Sequence, residues 1–315
     1  MRRKACLIFN PVAGSNNSEQ ELERIKELLS SRLDLDIQLT TKEVGADKLA
    51  QEAVNKDFEI IIAAGGDGTV SKTAKALGET NISLGVIPRG TVNAFASALG
   101  IPDTLDEACK TISSGTTRQV DIGRCNGRLM MLLAGIGFEA EAVENTTQEA
   151  KQDWGSLAYL ISGIQQLPKL ELFEAEIETD DEKIHVSAGA ITVANTAPTT
   201  SILAQGPANI ICDDGLLDIT IISSDTWKSA IAASYHLLQT SLQGNVAKRD
   251  DIGYLRTKSV KITTNPPQKI VLDGEIIGYT PLELECIQNG LKVIVPMQSG
   301  KKMSQNLVDL SDLQI

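Results

Sequence analysis

The sequence predicts an α/β domain built on a parallel sheet, followed by an all-β domain built as an antiparallel β-sandwich. Three observations predict it. Short apolar runs alternate with helix-period segments up to about residue 117. Beyond that point strand-like runs dominate, punctuated by Asp-Gly and Asn-Gly turn signals. Between the third strand and third helix, the apolar run Ile60 to Ala63 enters Gly65-Gly66-Asp67-Gly68-Thr69.

Residues 5 to 10 (ACLIFN) predict a buried first strand closed by Asn10-Pro11. The following loop carries Gly14 and Ser15. Ser18 and Glu21 then stand at capping-box spacing, and Leu22, Ile25, Leu28 and Leu29 share one helical face. A strand over Leu35 to Thr40 and a helix from about Ala46 to Lys56 come next. The helix after the glycine turn carries Val70, Ala74 and Leu77 on one face and ends at Gly78. Ser83 to Ile87 form a fourth strand, closed by Pro88. Arg89-Gly90-Thr91 then lead into a helix over Val92 to Leu99 with Asn93 in its first turn, and Thr104-x-x-Glu107 opens another that runs to about Ser113.

The second half predicts strands at Arg118 to Ile122, Arg128 to Leu133, Leu170 to Glu178, Lys183 to Ala194, Leu217 to Ser223, Tyr254 to Thr263, Gln268 to Leu272, Leu282 to Cys286 and Leu291 to Val295. Asp180-Asp181, Asp273-Gly274 and Asn289-Gly290 supply turn chemistry, the last pair as a strong hairpin signal. Two helices interrupt, at about 156–166 and 226–242. The expected division is 1–122 and 123–297, with the tail 298–315 either packing back on the first domain or mobile.

Ligands of parallel sheets bind at the carboxyl ends of the strands. Asn10, the 65–69 turn and the 89–93 loop all stand at such ends. A strand, glycine turn and helix start aim backbone N–H groups and the positive end of a helix dipole at one spot, which suits a phosphate. Glycine lets a ligand approach the backbone because no Cβ intervenes. A carboxylate such as Asp67 repels phosphate unless a cation lies between, so it points to Mg²⁺ or to a positioning role. The turn is not a Walker A loop, since Ser71 stands where the second Gly belongs, and it lacks the third Gly of the dinucleotide fingerprint.

Composition narrows the function classes. Lys plus Arg number 29 against 41 Asp plus Glu, a net charge of −12, with 3% aromatics. That argues against nucleic acid as the main partner and against general attraction to anionic membranes. Five dispersed cysteines, no CxxC and two histidines make a zinc site or disulfide framework unexpected and fit a reducing, cytoplasmic setting. The N-terminal apolar run is too short for a signal segment, and no apolar run approaches a membrane span.

Three further constellations lie in the second half. Gly135-Ile136-Gly137-Phe138-Glu139 sets an acid after a glycine bend. Asp213-Asp214-Gly215-Leu216-Leu217-Asp218 holds three carboxylates, which read equally as a solvated turn or as an oxygen-ligand metal site. Leu272-Asp273-Gly274-Glu275 places Glu275 directly after a turn, as a surface acid or as a general base on a rigid hairpin.

Taken together, Asn10-Pro11, Gly65 to Ser71, Pro88-Arg89-Gly90-Thr91-Val92-Asn93-Ala94-Phe95-Ala96, Gly135 to Ala140, Asp214 to Asp218 and Leu272 to Glu275 resemble the soluble bacterial diacylglycerol kinase-like lipid kinases, relatives of sphingosine and ceramide kinases. The glycine turn alone is shared with NAD kinases and, more loosely, 6-phosphofructokinases. The resemblance spans nearly the whole chain. It implies ATP in a cleft between two domains, contacted by Asn10, Thr40 (or Thr41), Gly65, Gly66, Asp67, Gly68, Thr69, Val70, Ser71, Thr91 and Asn93. It implies Glu275 as catalytic base, Asp67 working with a catalytic Mg²⁺, and a structural Mg²⁺ on the Asp214 side chain and the carbonyls of Ile211 and Leu216. It implies a lipid hydroxyl as acceptor, met peripherally at a membrane surface; a homodimer is among the expected assemblies.

The chain departs from the family pattern at Ala94, at Glu139, over Thr196 to Thr200, and over Val44 to Asp47. Two rivals remain: a kinase of a soluble substrate such as NAD, and a non-catalytic nucleotide- or lipid-binding protein on the same fold. The helix around Trp154, Leu157, Tyr159, Leu160, Ile161 and Ile164 is a candidate membrane contact whose ordinary role is packing on the sandwich.

Overall fold

A computed structural model of the protein describes residues 2–14, 17–137, 172–197, 210–223 and 251–297. The expected helices at 156–166 and 226–242, the segment around Trp154, Phe138 and Glu139, residues 198–200 and the tail 298–315 lie outside the described residues.

The first part alternates as its sequence periods dictate. Strands β1 (Arg3–Phe9), β2 (Leu33–Leu39), β3 (Ile60–Gly65) and β4 (Ser83–Pro88) alternate with helices α1 (Ser18–Leu29), α2 (Ala46–Val54) and α3 (Asp67–Leu77); α4 (Ala94–Ala98) and α5 (Leu105–Ser114) follow β4. The strands pair in parallel in the order β2-β1-β3-β4. Side chains alternate across a strand, so each strand feeds two cores. Cys6, Ile8, Ile61 and Ala63 pack with α2 and α3. Leu7, Phe9, Ile60 and Ile62 pack with α1 and α5 on the opposite face.

From β1 the chain moves to β2 on one side and then to β3 on the other. The carboxyl ends of β1 and β3 therefore flank a topological switch point, where a crevice forms in open α/β sheets. The Asn10 amide donates to the Ala64 carbonyl at 2.9 Å, which holds those two ends side by side.

The second part comprises β5 (Thr116–Cys125), β6 (Arg128–Met130), β7 (Leu133–Gly137), β8 (Phe173–Thr179), β9 (Lys183–Ala188), β10 (Ala190–Ala194), β11 (Leu217–Ile222), β12 (Ile252–Thr257), β13 (Ser259–Asn265), β14 (Lys269–Leu272), β15 (Glu275–Tyr279) and β16 (Leu282–Val295). One antiparallel sheet runs β12-β11-β10-β7-β14-β15. It faces β13, β8 and β9 across a core that includes Ile136, Phe173, Ile191, Ile219, Ile262 and Leu282. The expected sandwich is there.

Four strand readings are corrected. The run expected over Arg128 to Leu133 is two strands in different sheets, β6 and β7, broken at Met131-Leu132. The run expected over Lys183 to Ala194 is two strands in different sheets, broken at Gly189, and the run over Tyr254 to Thr263 breaks in the same way at Lys258. These are corners where a strand leaves one layer for the other. Asn289-Gly290 does not reverse the chain. Both halves of β16 stay antiparallel to β5, with the register shift between Ile287 and Leu291, so the pair makes a bulge. Its positive φ is real (55° at Asn289), and a Cβ on Gly290 would stand 2.5 Å from Ile122 Cγ1. The second half of β16 pairs with β4, and Leu291, Val293 and Val295 join the α/β core.

Two local readings also change. The Ser18–Glu21 capping box does not form: Asn17 is the N-cap and Ser18 is already helical. Asn93 is not in the first turn of a helix; it is the left-handed N-cap (φ 50°) of the short α4. The five cysteines carry free thiols, those of Cys6 and Cys109 pushed up to about 12 by burial.

Candidate active site

The glycine turn is tighter than its five-residue pattern implies. Gly66 is the N-cap of α3, and Asp67, Gly68 and Thr69 form the first helical turn. Gly65 is needed because a Cβ there would lie 2.5 Å from Thr69 Oγ1. The neighbouring loop presses in from β4: a Cβ on Gly90 would stand 2.7 Å from Gly66 Cα. Two glycine loops thus meet backbone to backbone. Around Gly68, by contrast, a Cβ would meet nothing within 4 Å, so the helix start is open on that side. The Thr69 and Val70 amides already donate to the Gly66 carbonyl, so the open approach is the one at Gly68, where no side chain would keep a phosphate from the backbone.

The other expected contacts gather around this point to different degrees. Asn10 Nδ2 donates to Thr69 Oγ1 at 3.0 Å, which ties the end of β1 to the first turn of α3. Thr40 follows β2, its amide donating to Phe9 O at 2.9 Å, next to Asn10. The Thr41 hydroxyl is engaged in its own turn, donating to the Glu43 carboxylate and accepting from the amides of Glu43 and Val44. Val70 turns into the core, whereas Ser71 stays half-buried. Thr91 is exposed at the tip of its loop. Asn93 clips that loop shut: its Oδ1 accepts from the Gly90 amide and its Nδ2 donates to the Gly90 carbonyl, both at 2.8 Å.

Asp67 is half-buried and its carboxylate faces the start of α4, accepting from the Phe95 amide at a long 3.4 Å. Burial raises its pKa, with the amides of Phe95, Ala94 and Asn93 pulling the other way. Mg²⁺ in kinases is commonly held by one or two carboxylates together with substrate phosphates. A half-buried carboxylate beside the open Gly68 end of α3 is compatible with that arrangement.

The carboxylates of the Asp214 loop are engaged by protein groups. One Asp214 oxygen accepts from the Leu216 amide at 3.2 Å, and the other is paired with the Arg256 guanidinium. Arg256 Nε also reaches Asp218 at 3.1 Å, while Arg118 pairs with Asp213 at 2.7 Å. Each of the three carboxylates already has an arginine, and Ile211 is exposed. Among the described residues no group of three or more His, Cys, Asp or Glu gathers to hold a metal. Asp218 is buried, takes the Tyr254 hydroxyl as donor, and has its pKa raised by that burial.

Glu275 opens β15 directly after a two-residue turn, Asp273 (φ 48°) and Gly274 (φ 85°). Two successive positive φ values are the type I′ signature that Asp-Gly favours. The Glu275 side chain is exposed. Asp273 is not: its side chain is 2% exposed and accepts from the amides of Met131, Leu132 and Leu133 at 3.0, 2.8 and 3.3 Å. Its fourth partner is Lys75 Nζ on α3, at 3.0 Å. The hairpin of Glu275 is thus bound to the helix that begins at Asp67.

Sequence reasoning missed four of these supports. Arg89 is buried, packs its guanidinium 4.1 Å from the Phe9 ring centroid, and bonds Glu21 and the Asn10 carbonyl. It braces the site from behind, and it takes the glutamate that the capping box would have used. Asp121 accepts from the amides of Gly215 and Asn289 at 2.6 and 2.7 Å and pins two loops at once. Its signal was legible: a lone acid inside an apolar strand is buried only when partnered. Lys75 and Asp273 gave no such signal.

Comparison with known proteins gives the family. A model of the diacylglycerol kinase catalytic domain matches residues 4–125, and a model of the YegS C-terminal NAD kinase beta sandwich-like domain matches 133–295. A Synechocystis protein described as uncharacterized is 48% identical over 305 residues, covering 93% of this chain and 70% of its own. A Bacillus subtilis diacylglycerol kinase is 29% identical over 307 residues, 96% of this chain and 99% of its own. A crystal structure of a diacylglycerol kinase from Bacillus anthracis str. Sterne superposes with a TM-score of 0.72 at 26% identity, and another from that organism with 0.80 at 30%; each comparison covers 93% of this chain and 97% of the other. This chain belongs to the diacylglycerol kinase-like family. It is a lipid kinase, a phosphotransferase with an alcohol group as acceptor. Among the described residues no helix is long and apolar enough to cross a membrane.

Proposed function

We propose that the protein transfers the γ-phosphoryl group of ATP to the hydroxyl of a diacylglycerol-like or sphingoid-like lipid reached peripherally at a membrane surface. The observation that carries this reading is the open start of α3 at Gly68, with the half-buried Asp67 beside it and the Glu275 hairpin tied to the same helix. The Gly65 to Thr69 backbone seats the phosphates, with Asn10, Thr40, Ser71, Thr91 and Asn93 around the nucleotide. Mg²⁺, held by Asp67 with the nucleotide's own phosphates, would neutralise charge on the β- and γ-phosphates. Glu275 accepts the proton of the lipid hydroxyl as that oxygen attacks phosphorus. Its exposure suits a base that must meet an incoming lipid, and its place on a two-residue turn fixes its direction. Positioning and electrostatics supply most of the acceleration in such transfers. The ATP-binding part would comprise 1–122 together with the second half of β16, and the substrate part the rest of 123–297.

The test is incubation with radiolabelled ATP, Mg²⁺ and mixed-micelle lipids beside NAD, with Glu275→Gln as control. Organic-extractable label that falls by about 10²-fold or more in the variant, with ATP affinity retained, is the expected outcome. Label in NADP, or equal turnover in the variant, overturns the reading or the role of Glu275 respectively.

A further inference from the structure

We infer that Lys75 is a positioning residue for the transfer: through Asp273 it fixes the Glu275 hairpin to the helix that carries Asp67. The inference rests on the roles proposed above for Asp67 and Glu275.

α3 is a rigid element. Val70, Ala74 and Leu77 are buried in the α/β core, and the helix cannot slide without repacking them. Lys75 lies eight residues after Asp67, about 12 Å along the helix axis. Its ammonium leaves the α/β part and meets Asp273 Oδ2 at 3.0 Å. Asp273 begins the turn whose next-but-one residue is Glu275, and its own amide donates to Leu133 O at 2.9 Å.

The far side of that contact is equally fixed. The amides of Met131, Leu132 and Leu133 point at the Asp273 carboxylate. The same strip is held from the other side by Asn195, whose Nδ2 donates to Met131 O at 3.1 Å and whose amide donates to Leu132 O at 2.8 Å. Lys75 therefore ends on a stiff knot of main chain, not on a mobile side chain.

The pair is more than charge compensation. A carboxylate has about four acceptor sites, and three amides already serve Asp273. Without Lys75 the acid would keep its three amides but would be a buried charge with no cation beside it, which loosens the turn it belongs to. What the lysine adds is a strut between two rigid bodies, each holding one of the two proposed catalytic acids. An ångström of misplacement at a reacting centre costs about 10²-fold in rate. A strut at this place is where such precision would be maintained.

The experiment compares wild type with Lys75→Met and Lys75→Arg in three readouts: kcat for lipid phosphorylation, Kd for ATP, and amide hydrogen exchange. Lys75→Met is expected to lower kcat by about 10²-fold while the ATP Kd stays within about twofold, with Lys75→Arg recovering most of the rate. Exchange should quicken at 131–133 and 272–275 and stay unchanged in strand 60–65. A kcat within about twofold of wild type, or unchanged exchange at 131–133 and 272–275, overturns the inference. So does a large rise in the ATP Kd, which would make Lys75 a nucleotide contact. Wild type that phosphorylates no lipid overturns the functional reading instead, and the exchange arm still decides whether the strut exists.

Discussion

One Asp-Gly pair opens α3 and another turns the hairpin before β15, and the chain treats their acids in opposite ways. Asp67-Gly68 opens a helix; its carboxylate is half-buried, takes a long hydrogen bond from the Phe95 amide at 3.4 Å, and is also faced by the amides of Ala94 and Asn93. Asp273-Gly274 turns a hairpin; its carboxylate is buried and receives three amides and an ammonium. The first is left available to something that arrives, and the second is consumed in holding the frame. An acid's use follows from how much of its acceptor capacity the backbone has already taken, and the dipeptide alone carries no trace of that.

The comparison breaks if the two acids can be exchanged in effect. The largest expected contrast is between their alanine variants. Asp273→Ala leaves three amides and Lys75 without their acceptor and is expected to lose about 3 kcal/mol or more in urea unfolding. Asp67→Ala should lose about 10²-fold or more in turnover while unfolding within about 1 kcal/mol of wild type. Equal loss of stability in both would remove the distinction.

The two glycine loops sharpen the contrast at an intermediate scale. Gly90→Ala puts a Cβ 2.7 Å from Gly66 Cα, and its unfolding free energy should fall by about 1–3 kcal/mol. Gly68→Ala adds a methyl to open space, so its stability should change by less than about 1 kcal/mol. Its ATP affinity, read by titration calorimetry, should nonetheless fall by about tenfold, because the methyl stands where the phosphate must approach.

The smallest effect concerns pH. The Asp67 pKa is raised in the folded chain, chiefly by burial. The folded state then holds that proton more tightly than the unfolded state does, so ionising Asp67 works against folding. This cost is absent below the ordinary carboxylate range near 3.8, grows as pH rises through the folded pKa, and stays constant above it. Asp67→Asn should therefore melt higher than wild type at neutral pH, with the difference vanishing in acid. Thermal melts across that range that ran parallel, or a variant that melted lower at neutral pH, would place no such cost on Asp67.

Much of this molecule was written locally. The period of the apolar residues set β1 through β4 and the helices between them, because a helix or strand buries one face whatever lies further along the chain. The glycine turn at Gly65 to Thr69 and the Asp-Gly turn before Glu275 were readable because left-handed or crowded backbone excludes most side chains. Local signals failed where a strand had to change sheets at Gly189 and Lys258, and where Asn289-Gly290 made a bulge in place of a hairpin. In each case the partner strand, not the residue pair, decided the path. Tertiary structure alone decided that Glu21 serves Arg89, that Arg256 occupies Asp214, and that Lys75 reaches Asp273. Periodicity reports which face of an element is buried; it carries no record of the distant group that a charged side chain will meet once the layers have closed.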